Sequence, residues 1–195
     1  MRVIAGEFRS RRLESPRGMA TRPTSDKLRE TLFNVLGPRV VGAKFVDLYA
    51  GSGAVGIEAI SRGAEFVWFA EKAPAAVAAI RANLRALKIA GGYALEDRGT
   101  ARLLGSLVRN GSAVDMVYLD PPYEAAEEYI RTLEFLGAHA AEMLAEGAVV
   151  VAEHARKQAL AQRFGVLERF RVLEQGDAAL SFFRKEVRES EELGS

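Results

Sequence analysis

From Lys44 onward, the sequence alternates short apolar runs with amphipathic helical patterns, and this alternation constrains the fold more than any other feature. The runs KFVDLYA, EFVWFAE, YALED, VDMVYLD and AVVVAEH predict strands, with helical patterns between them. Strands that alternate with helices are typical of a parallel sheet with crossover helices. The last two runs, LERFRVLEQ and AALSFFRKE, are separated only by Gly176 and Asp177, so they must pair antiparallel. We therefore expect an α/β fold with one twisted, mostly parallel sheet of about seven strands that ends in an antiparallel hairpin.

The first 40 residues do not follow this alternation and carry an excess of positive charge. The runs RVIA and RRLE predict a small hairpin over residues 2–14, and RPTSDKLRETLFNVLG predicts a helix that Thr24 or Ser25 caps. This segment contains nine Lys and Arg residues and four acidic residues, which gives it a net charge of +5, whereas the whole chain carries +1. We expect a basic extension at residues 1–40, a cofactor-binding domain at 41–186 and a frayed tail at 187–195, with the extension a candidate for phosphate contacts.

The composition excludes several classes of site. The chain has no cysteine, which excludes disulfides, zinc sites built on thiolates and cysteine nucleophiles. Its two histidines, His139 and His154, are too few for a His-rich metal site, so no metal is expected. No apolar stretch approaches the roughly 18 residues that span a bilayer, and the N-terminus lacks the apolar core of a secretory signal. These features predict a cytoplasmic protein without a membrane partner.

A glycine-rich loop follows the first predicted strand. Gly51, Gly53 and Gly56 match the pattern GxGxxG, and Glu71 ends the next strand 20 residues after Gly51. Taken literally, this is the dinucleotide-binding pattern of a nicotinamide oxidoreductase. Asp47, however, lies four residues before the first glycine, where a carboxylate would repel a pyrophosphate. It suits the cationic cofactor S-adenosylmethionine, which carries a sulfonium and an ammonium group and no phosphate.

A second motif, Asp120-Pro121-Pro122-Tyr123, ends the strand VDMVYLD. Two consecutive prolines cannot continue a sheet, and Pro121 restricts Asp120 to an extended backbone. The Asp120 carboxylate and nearby carbonyls then become fixed acceptors beside the flat ring of Tyr123. This combination suits a planar base that has been extruded from its stack and carries an exocyclic amine. Acceptors that hold the N–H groups of the amine direct its lone pair towards a methyl donor.

Together these motifs resemble those of class I S-adenosylmethionine-dependent methyltransferases. The opening RVIAG…RRL…RPTSDKLRETLFNVL resembles the bacterial family that methylates N2 of a guanine in 16S ribosomal RNA, and the similarity runs from Arg2 to about Lys185. The resemblance implies a single Rossmann-like methyltransferase domain with a small N-terminal hairpin and helix extension. It also implies S-adenosylmethionine as cofactor, and as partner 16S ribosomal RNA within the small subunit or an assembly intermediate.

The resemblance also assigns roles to individual residues. The catalytic motif corresponds to Asp120, Pro121, Pro122 and Tyr123. The RPT element corresponds to Arg22, Pro23 and Thr24 and is expected near the cofactor and the target base, with Arg22 facing the RNA. The adenine-side acid corresponds to Asp97, although a shift of one residue would place Arg98 there. The remaining positions are the cofactor residues Asp47, Gly51, Ser52, Gly53, Glu71 and Thr24, and the RNA-contacting hairpin residues Arg9, Arg11 and Arg12.

Other functions stay open at this point. The nearest alternative is an amino-methyltransferase that acts on adenine or cytosine in DNA or on a protein glutamine amide, although about 40 basic-extension residues are few for a DNA target-recognition region. A nicotinamide oxidoreductase is favoured only by the literal glycine pattern. A non-catalytic RNA-binding module would have no need of a fixed carboxylate at Asp120.

Overall fold

The computed structural model describes residues 1–16, 25–122 and 125–186. The predicted tail at 187–195 lies outside the described residues. The helices are α1 (Asp26–Leu36), α2 (Ala54–Ser61), α3 (Pro74–Ala86), α4 (Thr100–Arg109), α5 (Ala126–Ala138) and α6 (Ala140–Met143). The strands are β1 (Lys44–Leu48), β2 (Phe66–Ala70), β3 (Tyr93–Glu96), β4 (Val114–Leu119), β5 (Leu144–Ala155), β6 (Arg163–Phe164), β7 (Leu167–Gln175) and β8 (Ala178–Lys185). Within these three ranges, no helix has both the length and the apolar composition that crossing a membrane requires.

All the strands join one sheet in the order β3-β2-β1-β4-β5-β8-β7-β6. Strands β1 to β5 run parallel, and β8, β7 and β6 extend the sheet through antiparallel pairs. This arrangement confirms the predicted α/β fold and its antiparallel final hairpin. Within the described residues the sheet has eight strands rather than about seven, because β6 contains only two residues and is too short to leave a pattern in the sequence.

The strand order reverses between β1 and β4. The chain proceeds from β1 to β2 and β3 on one side and then returns to place β4 on the other side. Leu48 pairs with Ala70 of β2 and with Leu119 of β4, so the carboxyl ends of all three strands lie level. In open α/β sheets, ligands bind in the crevice beyond such a switch in strand order. Both sequence motifs begin at this edge.

Two apolar layers cover the sheet, and the N-terminal segment contributes to one of them. Val3 and Leu13 pack in the same buried cluster as Leu32 of α1 and Phe45 of β1. The second cluster, on the opposite face, holds the buried side chains of α4, α5 and α6. Helix α1 begins as predicted, with the Ser25 hydroxyl accepting a hydrogen bond from the Leu28 N–H at 3.1 Å. The predicted domain boundary at residue 40 stays a prediction.

The predicted N-terminal hairpin is present and lies along α2. It is closed by a single antiparallel bridge between Arg2 and Arg12. Its turn is docked on the C-terminal end of α2, where the Glu7 N–H donates to the Ser61 carbonyl at 2.8 Å. A side chain at Gly6 would lie 1.7 Å from that carbonyl, so only glycine permits this approach. Because α2 runs from the carboxyl edge of the sheet to the amino edge, the hairpin turn lies at the amino edge.

Candidate functional site

The glycine loop between β1 and α2 is shaped by two different demands on its glycines. Gly53 forms the N-terminal cap of α2 at φ +77°, a left-handed backbone that disfavours other residues. Gly56 lies in the first turn of α2, where an added Cβ would be 2.2 Å from the Phe69 ring. The last glycine of the pattern is therefore required because helix and strand pack so closely. Around Gly51, by contrast, an added Cβ would meet no described atom within 4 Å, so the outer side of the loop is open.

Asp47 is buried under this loop and holds its backbone by a hydrogen bond. Its side chain is 1% exposed, and its Oδ2 accepts a hydrogen bond from the Gly56 N–H at 2.8 Å. Burial raises the pKa of Asp47 to about 8; the Gly56 hydrogen bond opposes this rise and the negative charge of Glu71 adds to it. At neutral pH the Asp47 carboxyl is therefore mostly uncharged. The expectation that Asp47 supplies the negative charge of the site and its direct contact with a cofactor both stay predictions.

Glu71 places a second carboxyl group against the glycine loop, at the end of β2. Its Oε2 accepts from the Gly51 N–H at 2.9 Å, and its Oε1 accepts from the N–H groups of Lys72 and Ala73, each at 2.8 Å. These bonds hold the carboxylate against the glycine loop. A carboxylate offers about four lone-pair sites, so Glu71 retains acceptor capacity for a ligand hydroxyl.

The end of β3 continues the same edge. The Glu71 N–H donates to the Glu96 carbonyl at 3.1 Å, which places the residues after β3 beside Glu71. The Asp97 carboxylate is about half exposed and pairs with Arg81 at 3.0 Å. The Arg98 side chain instead lies 3.8 Å from the Glu96 carboxylate. Both residues border the edge, and the adenine-side role of Asp97 stays a prediction.

The Asp120-Pro121-Pro122 turn follows β4, one strand away from the glycine loop. Pro121 is buried, and its carbonyl accepts a hydrogen bond at 3.0 Å from the hydroxyl of Tyr129, whose side chain is fully buried in α5. The Pro122 carbonyl accepts a hydrogen bond from the Ala125 N–H at 2.8 Å. Asp120, partly exposed, is therefore carried on a backbone that is fixed on both sides. Tyr123, predicted to supply the stacking ring, lies outside the described residues.

Tyr49 links the two halves of the site, and the sequence pattern did not identify it. It lies between β1 and the glycine loop at φ +61°, an uncommon conformation for a bulky residue. Its hydroxyl lies 3.0 Å from the Glu128 carboxylate and 2.8 Å from the Thr132 hydroxyl, both on α5. Burial raises the pKa of Tyr49 to about 12, so the phenol keeps its proton. The loop after β1 is thus tied to the helix that also anchors the proline turn.

Asn83 is a second residue that the sequence did not identify. It is buried on α3, and its Nδ2 donates to the carbonyls of Ser52 and Glu14, each at 3.0 Å. Its Oδ1 accepts from the Glu14 N–H at 2.7 Å. One amide therefore joins the glycine loop to the end of the N-terminal hairpin.

The predicted RNA-contacting residues lie on the N-terminal hairpin or outside the described residues. Arg9, Arg11 and Arg12 are exposed on the hairpin, and Arg9 is next to its turn at the amino edge. Arg22 and Thr24, predicted near the target base and the cofactor, lie outside the described residues. Their roles stay predictions.

The groups that line the carboxyl edge of the sheet fit S-adenosylmethionine better than a pyrophosphate or a metal. The loop is open over Gly51, the charged group against it is the Glu71 carboxylate, and the described part of the loop carries no cationic side chain. A ligand with hydroxyls and a positive charge is stabilised by such a set, whereas a polyphosphate is repelled. No group of three or more potential metal ligands comes together in the part of the chain that the structure describes.

Comparison with known proteins identifies relatives along nearly the whole chain. The family described as "Conserved hypothetical protein 95" matches residues 1–184. The Escherichia coli (strain K12) protein named ribosomal RNA small subunit methyltransferase D is 38% identical over 151 residues, 74% of this chain and 72% of that protein. A Bacillus subtilis (strain 168) protein, provisionally named the rRNA methyltransferase YlbH, is 34% identical over 95% of this chain and 99% of its own length.

Solved structures show the same fold. An Escherichia coli structure, provisionally described as the methyltransferase yhhF, superposes with a TM-score of 0.82 at 30% identity and covers 96% of this chain and 99% of that chain. A more distant structure, SMU.776, is provisionally described as a methyltransferase complexed with SAH. It superposes with a TM-score of 0.64 at 14% identity, covers 80% of this chain and 48% of that chain, and shows likeness of fold alone.

Proposed function

The chain belongs to the family described as "Conserved hypothetical protein 95", and we propose that it transfers a methyl group from S-adenosylmethionine to the exocyclic N2 amine of a guanine in 16S ribosomal RNA. The coarser activity, methylation of ribosomal RNA by a methyltransferase that uses S-adenosylmethionine, follows from the family and its named relatives. One observation supports the finer proposal most. The glycine loop with Glu71 and the Asp120-Pro121-Pro122 turn lie at the carboxyl ends of neighbouring strands, on either side of the switch in strand order.

The cofactor residues act by binding and orientation. When bound, S-adenosylmethionine supplies an electrophilic methyl group on its sulfonium. The Glu71 carboxylate, held by the Gly51 N–H, is the acceptor for ribose hydroxyls. The closely packed loop, fixed from below by Asp47, leaves backbone room for the methionine part. We assign the adenine side to Asp97.

The acceptor residues act on the amine nitrogen. In an exocyclic amine the lone pair is delocalised into the ring, which makes it a weak nucleophile. Acceptor oxygens on Asp120 and the proline turn hold its N–H groups, so the lone pair is aimed at the methyl group. The nitrogen forms a bond to the methyl carbon as the carbon–sulfur bond breaks, and the nitrogen then releases one proton to the surrounding water. We infer that Tyr123 stacks on the base and that Asp120 acts as an acceptor rather than as a strong base.

The experiment that tests this function offers three acceptors to the purified chain with methyl-labelled S-adenosylmethionine. The acceptors are small ribosomal subunits that lack their own base methylations, duplex DNA and total ribosomal protein. We expect label in the RNA of the subunits alone. Label in DNA or in a glutamine amide would replace the proposal by one of the alternative amino-methyltransferase activities.

A further inference from the structure

A groove lies between the N-terminal hairpin and α1. Its volume is about 650 Å³. Its lining residues come from the hairpin, from one face of α1 and from the residue that follows α2, and they include Arg2, Arg9, Asp26, Lys27, Asn34 and Arg62. This volume exceeds what a single phosphate fills and falls in the range of sites that hold an extended ligand.

The direction of the groove follows from the contacts at its ends. At one end, Arg2 lies 3.6 Å from Asp26 in the first turn of α1, and the Sδ of the neighbouring Met1 lies 3.6 Å from the hydroxyl of Ser52 in the glycine loop. At the other end, Arg9 is beside the hairpin turn on the C-terminal end of α2, and the Arg62 guanidinium stacks 4.8 Å from the centre of the Phe33 ring. The groove therefore runs beside α2 from the carboxyl edge to the amino edge. Eight helical residues correspond to about 12 Å.

Cations outnumber acids among the residues that line this groove. Four cations and two acids line it, and one of the cations, Arg62, pairs with Glu58 at 2.7 Å. One of the acids, Asp26, is already engaged by Arg2 at 3.6 Å and by Arg29 at 3.0 Å. The exposed cations Arg2, Arg9 and Lys27 are thus distributed over both ends. Arginine and lysine at intervals along an elongated groove are the arrangement that follows a nucleic-acid backbone.

The floor of the groove is rigid. The Arg29 side chain is fully buried under it, 3.8 Å from the equally buried Glu58 carboxylate, and donates to the Arg2 carbonyl. Glu58 in turn accepts from the Ile4 and Ala5 N–H groups at 2.7 and 3.0 Å. A groove that exists before its ligand arrives loses less conformational entropy on binding.

We propose that this groove holds the single strand of RNA that flanks the methylated nucleotide, with Arg2, Lys27 and Arg9 contacting successive phosphates and Asn34 lying beside the strand. The inference rests on the proposed function, because it takes the substrate to be RNA. It adds a path, which leads the strand from the active edge, between the hairpin and α1, to the amino edge of the sheet. It also assigns to Arg9 a contact with flanking nucleotides rather than with the target base.

The first test measures how RNA affinity depends on salt. The variant with Arg2→Ala and Lys27→Ala is compared with a control that carries Arg85→Ala and Arg109→Ala, two exposed arginines at the ends of α3 and α4. Removing one cation that pairs with a phosphate of single-stranded RNA lowers the slope of log K against log salt by about 0.7, so the slope of the groove variant is expected to fall by about 1.4. Equal slopes for the two variants would overturn the proposal.

The second test uses the absence of cysteine from the chain. A photo-cross-linker is attached to a single introduced cysteine. Asn34→Cys places it at an exposed position of α1 in the groove, and the control Ala138→Cys places it at an exposed position of α5 on the opposite face of the sheet. With small-subunit particles, the probe at residue 34 is expected to cross-link nucleotides on one side of the methylated position, well above the control. Cross-links to a ribosomal protein, or none above the control, would overturn the inference. If the unmodified chain neither binds nor methylates the particle, the proposed function fails as well, which separates the two failures.

Discussion

Replacement of Asn83 tests whether one buried amide holds the glycine loop and the N-terminal hairpin together. Its side chain is 2% exposed and makes three hydrogen bonds, to the Ser52 carbonyl and to the carbonyl and N–H of Glu14. Each buried polar group left without a partner costs about 1–3 kcal/mol. Glu14 is exposed, so water replaces part of what its backbone groups lose, whereas Ser52 is buried. We expect Asn83→Ala to lower the free energy of unfolding by about 3 kcal/mol.

A urea titration and a thermal scan measure this loss. For a chain of this size, about 3 kcal/mol corresponds to a melting temperature lower by about 6–12 °C. Calorimetry with S-adenosylmethionine is expected to show weaker binding, because the carbonyl of Ser52 is no longer held. Asn83→Asp keeps the shape of the side chain and the acceptor for Glu14 but places a carboxylate 3.0 Å from two carbonyls, so it is expected to be at least as damaging.

The matched control is Asn110→Ala, which removes an exposed asparagine at the end of α4. Surface changes of this kind alter stability by at most about 0.5 kcal/mol. If Asn83→Ala remained within that margin of the wild type and bound the cofactor equally well, the assignment of Asn83 as the link between loop and hairpin would be refuted.

Three further predictions concern the acceptor turn and the buried carboxyl. Asp120→Ala is expected to lower kcat by about 100-fold or more with unchanged cofactor affinity. Asp120→Asn keeps an acceptor oxygen and is expected to retain much of the activity. If cofactor binding were lost in step with kcat, the assigned role of Asp120 would be contradicted. Tyr129→Phe removes the hydrogen bond to the Pro121 carbonyl and is expected to lower kcat about tenfold with little change in the KM for cofactor. An unchanged kcat would show that the turn keeps its position without the Tyr129 hydroxyl. Asp47 has a pKa raised to about 8, so the folded state keeps its proton where the unfolded state has lost it, and the stability it contributes falls as pH rises from about 4 to about 8. Asp47→Asn, which keeps an oxygen for the Gly56 N–H, should therefore become more stable than the wild type as pH rises, by up to about 1.4 kcal/mol per pH unit, whereas a pH-independent difference in urea titrations would contradict the raised pKa.

The parts of the fold that depend on local pattern could be predicted from the sequence. Alternating apolar runs gave the strands and the parallel sheet, and Gly176 with Asp177 gave the final hairpin. The role of Gly56 in close packing against Phe69 is also a local consequence of the glycine pattern. Strand β6 was not predicted, because a strand of two residues is too short to show an alternating hydrophobic pattern.

The contacts that hold the site together depend on distant residues, and pattern alone did not identify them. Asn83 meets Glu14 and Ser52 across 69 and 31 residues of chain, and Tyr49 meets Thr132 across 83. The neighbouring residues in the sequence do not distinguish a buried asparagine, or a tyrosine that joins a loop to a helix, from ordinary helix and loop residues. The raised pKa of Asp47 could not be predicted for a related reason, because its burial is a property of the folded chain.

The most direct measurement of the central proposal is nucleoside analysis of the methylated product. Small subunits without base methylations are incubated with the chain and labelled S-adenosylmethionine, and their 16S RNA is digested to nucleosides and separated. The account predicts a single labelled nucleoside, N2-methylguanosine, which the Asp120→Ala variant fails to produce. Label in a methylated adenosine or cytidine, or labelled N2-methylguanosine formed equally well by that variant, would contradict it.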